Sequence, residues 1–134
     1  KRIISSQYNF APDDLAWVNQ HWIFLDHDQK LTSSGGVSVA LDDATRIGAN
    51  YLYGSGLRKD GAVPNGATLP AYFQLNLNIA RDFAFEEFGQ LHAQLALINA
   101  LDRTYELRDG SGIGVGAPQF GPRRGVYLSV QKDF

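Results

Sequence analysis

The sequence predicts an all-β chain: an antiparallel, up-and-down segment of a transmembrane β-barrel. It has about six strands, long external loops and short periplasmic turns. Three observations point there. Alternation with period 2 dominates, and helical periodicity is nearly absent. The connections run long, short, long, short, long. The alternating faces also carry amides and hydroxyls that a dry sandwich core would have to pair one by one, at about 1–3 kcal/mol for each left unpaired.

The elements follow in order. Ile3 to Phe10 is a short, half-polar strand. A loop from Ala11 to His21 follows, and Pro12-Asp13-Asp14 within it reads as a helix start. Trp22 to Leu41 alternates longest, with Leu31, Val37, Val39 and Leu41 on one face and Thr32, Ser34 and Ser38 on the other. At about 3.3 Å per residue this run exceeds the 9–11 residues that cross a bilayer. Its acidic start, Asp26-His27-Asp28, therefore belongs outside, and Leu31 to Leu41 makes the crossing. Asp42-Asp43-Ala44-Thr45 is a tight turn into Arg46–Ser55. Leu57 to Pro70 is a long Gly/Pro/Asn loop. Tyr72 to Arg81 sets Phe73, Leu75, Leu77 and Ile79 against Gln74, Asn76 and Asn78. A short connection, Ala84 to Gln90, leads to Leu91–Leu101, and a long glycine-rich loop, Thr104 to Arg124, leads to the last strand, Gly125–Phe134.

Loop lengths sorted to two rims suit a barrel whose rims face different compartments; a Greek-key sandwich has no such constraint. Tyr51, Tyr53, Tyr72, Phe83, Phe85, Phe88 and Tyr127 lie near strand ends, where aromatic girdles sit. The competing reading is a soluble sheet with its apolar face inward and its polar face in water.

Composition narrows the rest. The chain has 134 residues, 44% hydrophobic and 19% charged, with a net charge of −2. That charge gives no field favouring nucleic acid. Cysteine and methionine are both absent, the chain opens on Lys1-Arg2, and nothing there resembles a signal peptide. A chain that starts in mid-pattern reads as a piece of a longer protein.

Candidate chemistry is sparse. His21, Asp26, His27 and Asp28 invite a metal reading. On a strand, however, Asp26 and Asp28 share one face while His27 points away, so a solvated rim is preferred and no metal is assigned. Gly110-Ser111-Gly112-Ile113-Gly114-Val115-Gly116-Ala117 holds a loose G-x-G-x-x-A, but Pro118 and the glycines argue against the helix a dinucleotide site needs. No P-loop lysine and no catalytic triad are visible, so the chain reads as a non-enzyme without a cofactor. Arg58, Lys59, Arg103, Arg108, Arg123 and Arg124 fall in the external loops. Ordinary solvated charge is the plainer explanation. The functional alternative is contact with an anionic ligand or with lipopolysaccharide phosphates, through Arg58, Lys59, Arg108, Arg123 and Arg124.

Several segments resemble the late barrel of TonB-dependent outer-membrane receptors. They are Leu25-Asp26-His27-Asp28-Gln29, Tyr53-Gly54-Ser55-Gly56-Leu57-Arg58, Val63-Pro64-Asn65-Gly66 and Leu69-Pro70-Ala71-Tyr72. Ile98-Asn99-Ala100-Leu101-Asp102-Arg103-Thr104-Tyr105-Glu106 is similar to the family's Asn-Leu-Phe-Asp-Lys-x-Tyr segment. Pro118 to Gly125, leading to Phe134, resembles its last loop and strand. Ala100 and Lys132 depart from the pattern. The resemblance implies that residues 1–134 are the C-terminal part of a receptor barrel, without the plug domain and earlier strands, in the bacterial outer membrane. It implies uptake of a small-molecule nutrient, such as a metal–siderophore complex, driven through TonB by the absent N-terminal part. It also implies Phe134 as the signal read by the barrel assembly machinery. Six strands cannot close a barrel. The expected partners are therefore outer-membrane lipid and either the rest of the receptor or other copies of the chain. The alternatives are a stand-alone small barrel, porin or adhesin, and a soluble β-sandwich or lipocalin-like binder.

Overall fold

A computed structural model describes residues 11–87, 89–113 and 116–132. The expected first strand Ile3–Phe10, the girdle residue Phe88, part of the glycine loop (Gly114 and Val115) and the terminal Phe134 lie outside the described residues.

The described chain is mostly β, in antiparallel sheets, with one short helix. The main sheet has five strands: β1 (Thr32–Ala40), β2 (Thr45–Gly54), β5 (Tyr72–Phe85), β6 (Gly89–Ile98) and β9 (Gly125–Lys132), in the order β1-β2-β5-β6-β9. The other strands are short pairs inside the long loops. β3 (Arg58–Lys59) pairs with β4 (Ala67–Thr68), and β7 (Glu106–Asp109) pairs with β8 (Pro118–Phe120). The helix α1 spans Pro12–Gln20, with Pro12 in its first turn and Asp13 and Asp14 complementing its N-terminal dipole.

Two expectations are corrected. The long strand from Trp22 is not continuous, and only Thr32–Ala40 is strand. Before it, the Asp28 N–H donates to the Leu25 carbonyl at 3.0 Å and turns the chain. The Ala11–His21 stretch is not simply a loop, because its expected helix start is extended to Gln20. Conversely β5 is longer than the alternation suggested, running on through Phe85.

The chain divides into two compact units. The sheet unit comprises Ser33–Tyr53, Phe73–Thr104 and 122–132 of the last segment. The loop unit comprises the described residues up to Thr32, with Gly54–Tyr72 and Tyr105–Gly121.

In the sheet unit the register sorts side chains cleanly. Leu77 opposes Leu97, Ile79 opposes Leu95, and Leu95 and Leu97 oppose Leu128 and Val126. The alternate positions pair Asn78 with Ala96, Ala80 with Gln94, Gln94 with Ser129, and His92 with Gln131. Among the described residues the sheet is open, with β1 and β9 at its edges. Its hairpin β1–β2 turns on Asp42, whose carboxylate accepts the N–H groups of Ala44 (2.8 Å) and Thr45 (2.6 Å). Those bonds, the Ala44 N–H first, hold the Asp42 carboxyl below its usual range.

The buried apolar residues among those described are Val18, Leu69, Tyr72 and Ile113, all in the loop unit. Tyr72 and Tyr105 stack at 4.7 Å between ring centroids. A side chain on Gly54 would strike the Tyr72 ring, and one on Gly121 would strike the Tyr105 ring. These two glycines let the ring pair lie flat against the backbone. Burial, and then the neighbouring Tyr72, raise the Tyr105 phenol above its ordinary pKa.

Candidate functional site

Within the loop unit, polar side chains converge on Asn65. This residue is 1% exposed and sits at φ +56°, a left-handed conformation that asparagine tolerates. Its amide nitrogen donates to the carbonyls of Phe24 (2.9 Å) and Ile113 (3.2 Å), and its amide oxygen accepts the Ile113 N–H at 3.0 Å. Its own N–H donates to Asp60 at 3.1 Å. One side chain thus ties together three segments far apart in sequence. Gly112, at φ +78°, leaves room for the amide, since a Cβ there would collide with Asn65 Oδ1. The Ser111 hydroxyl accepts the Asp60 N–H at 3.0 Å and donates to Asp109 at 2.7 Å. Burial would raise the Asp109 carboxyl, but the Ser111 bonds and the Lys59 charge outweigh it and hold the carboxyl low.

Beside this hub stand three of the five sequence-nominated cations. Arg108 Nη2 lies 3.1 Å from Asp26 Oδ2, and Asp26 Oδ1 is 2.9 Å from His27 Nδ1. His27 therefore does not point away from Asp26, as a strand would require, because the segment turns there. Lys59 faces Asp109 electrostatically. Arg58 differs from both. It is 6% exposed, and its guanidinium lies over the Phe24 ring, 3.6 Å from the centroid. No carboxylate among the described residues pairs with it, and its Nε, shut off from solvent, has no hydrogen-bond partner. An unpaired buried charge costs several kcal/mol. A desolvated cation–π contact of about 2 kcal/mol offsets only part of that. Gln29 Oε1 is a second buried polar atom without a partner.

The other two nominated cations lie in the sheet unit. Arg123 grips Asp102 through Nε (2.9 Å) and Nη2 (2.7 Å), and the Arg124 backbone N–H donates to Asp102 at 3.0 Å. These bonds, led by the Arg123 guanidinium, hold the Asp102 carboxyl well below the ordinary carboxylate range. The pair fastens the chain entering β9 to a turn built on Asn99. That residue is fully buried, at φ +49°. Its amide nitrogen donates to the carbonyls of Arg103 and Pro122, both at 2.9 Å, and its oxygen accepts the Arg103 N–H. Neither asparagine's role was read from the sequence. The available signals were Asn before Gly at 65–66 and Asn three residues before Asp at 99–102.

The metal reading finds no constellation. His21 stacks on Trp17, Asp26 is engaged by Arg108 and His27, and no three possible ligands gather among the described residues.

The two faces of the sheet differ chemically. On one, Val37, Val39, Ile47, Leu77, Ile79, Leu95, Val126, Leu128 and Val130 are exposed, Leu128 at 71%. On the other, Gln74 donates to Asn76 and Asn76 to Asn50, both at 2.8 Å, while His92 Nδ1 meets Asp82 Oδ1 at 2.6 Å. Aromatic rings bracket the apolar band on β5. Phe73 stacks with Tyr51 at one end, and Phe83 with Phe85 at the other. Arg81 lies over Phe83 and donates to the Thr45 hydroxyl. Comparison with protein-family models, curated proteins and solved structures finds no match to this chain.

Proposed function

We propose that the chain forms part of the barrel wall of a TonB-dependent outer-membrane receptor, serving energy-coupled uptake of a scarce extracellular nutrient such as a metal–siderophore complex. The observation that carries this reading is the two-sidedness of the sheet: leucines, valines and isoleucines stand exposed on one face, and an amide ladder runs along the other. Water penalises the first face. Roughly a dozen half-exposed apolar side chains, each leaving on the order of 1 kcal/mol of burial unrealised, rival the stability of a typical domain. Acyl chains remove that cost, and a wet lumen solvates the amides.

Dimensions support the same reading. The five strands run from 8 to 14 residues, against about 9–11 for a membrane-crossing strand. Phe73 and Phe83 stand about 33 Å apart along the strand, or about 25 Å along the membrane normal at a tilt near 40°, the height of a barrel's apolar band. On this reading Arg81 reaches from the edge of the band to the polar turn, as long cations do at an interface.

The test is detergent dependence. The chain is expected to precipitate in plain buffer and to fold as β-structure in micelles. A folded, monodisperse protein in buffer alone would refute the membrane reading. β1 and β9, the edge strands among the described residues, also suit closure by copies of the chain, as a small porin or adhesin. The protein mass in micelles separates the two readings, since only self-closure gives a defined oligomer.

A further inference from the structure

Arg58 is a buried cation that no carboxylate among the described residues pairs with. Its neighbours are already committed. Asp26, whose carbonyl accepts the Arg58 backbone N–H at 3.2 Å, gives its carboxylate to Arg108 and His27. Asp60 gives its carboxylate to the Asn65 N–H, and Asp109 gives its own to Ser111. Against the guanidinium lies the ring of Phe24, which is itself 51% exposed. The ring lies against one face of the guanidinium, and the Nε on that group has no hydrogen-bond partner. The Phe24 backbone is pinned by Asn65 through its carbonyl, which leaves only the ring to move.

We propose that Arg58 anchors an oxyanion site for which the Phe24 ring is the lid. A planar guanidinium presents a fork of N–H donors that matches carboxylate and phosphate oxygens. A π face holds the charge in place but gives those donors no acceptor. Rotation of the Phe24 side chain uncovers the fork, and a carboxylate or phosphate group takes the place of the ring. The closed form lowers apparent affinity by the fraction of molecules that are open. A lid of this kind favours a small free anion over a bulky lipid headgroup, although both offer the same oxygens. The site deepens the proposed uptake function by naming oxyanionic solutes as the ligand class, and its geometry does not depend on lipid.

The test is a titration of the whole chain in micelles at constant ionic strength, followed by calorimetry and by the fluorescence of Trp22, which is 92% exposed two residues from Phe24. The probes are inorganic phosphate, citrate, a neutral sugar, and a bisphosphorylated glycolipid in mixed micelles. Phosphate and citrate are expected to bind, and the sugar is not. Arg58→Gln should weaken binding about tenfold or more, and Phe24→Ala should tighten it about threefold by removing the closed state. Lys30→Gln, which removes one exposed charge, should change little. Equal loss in Arg58→Gln and Lys30→Gln, or no anion binding by a folded Phe24→Ala protein, would overturn the site. Binding of the glycolipid alone would overturn the small-anion assignment. Because β-structure in micelles is recorded on the same samples, failure of the membrane reading is seen separately.

Discussion

The loop unit and the sheet unit solve the same problem in opposite ways. The loop unit has little regular structure, yet it buries Val18, Leu69, Tyr72 and Ile113 and ties its segments through one internal asparagine. The sheet unit has long, well-registered strands but no buried apolar side chain among its described residues. Backbone hydrogen bonds alone do not stabilise a sheet whose greasy face stands open, because each is worth only about 1 kcal/mol net in water. One unit carries its own small core; the other leaves its apolar face uncovered by the described residues.

The largest expected effect falls on the sheet side. Asn99→Ala removes bonds to Arg103 and Pro122 from a fully buried side chain and puts alanine at φ +49°. About 3 kcal/mol or more should be lost in denaturant titrations. Asn99→Gly, which relieves the dihedral but restores no bond, should recover only a small part of it.

Asn65→Ala makes the matching cut in the loop unit. A loss of about 2–4 kcal/mol is expected there, visible in limited proteolysis as cleavage within 57–70 and 105–121 while the strands stay protected. Equal cleavage of strands and loops would mean that the two units do not differ in the way described.

A smaller effect tests the ring pair. Tyr105→Leu keeps bulk but ends the stacking with Tyr72, for a loss of about 0.5–1.5 kcal/mol. If the loss is no larger than that of a surface substitution, the rings do not contribute as a pair.

The smallest effect is one of pH. Asp102 has its pKa lowered on folding, so it stabilises the protein above the unfolded value of about 3.9. That contribution fades as pH falls through the lower folded value. Wild type should therefore lose stability below about pH 4 more steeply than Asp102→Asn. Parallel acid curves for the two proteins would contradict the assignment.

Alternation made the sheet legible, because period 2 in the sequence is period 2 in space. Leu75, Leu77 and Ile79 could be put on one face without coordinates. The same rule misled at Trp22–Leu31, where alternation continues through a turn at Asp26-His27-Asp28, since a turn leaves no mark on a face pattern. The asparagine hubs were illegible for a different reason. Asn65 meets Ile113 across 48 positions of sequence, and only the folded backbone decides which donor reaches which carbonyl. Arg58 reads in the sequence as an external-loop cation, and nothing in its sequence neighbourhood marks it as buried against Phe24.

The most direct measurement uses the absence of native cysteine. Single cysteines at Leu77, Leu95 and Leu128 on one face, and at Asn78, Gln94 and Ser129 on the other, would carry spin labels in protein folded into lipid vesicles. The first set should collide with oxygen dissolved in the bilayer and the second with a water-soluble nickel reagent. If the leucine positions are shielded from both, locked in a dry protein interior, or are reached by nickel, the sheet does not face lipid.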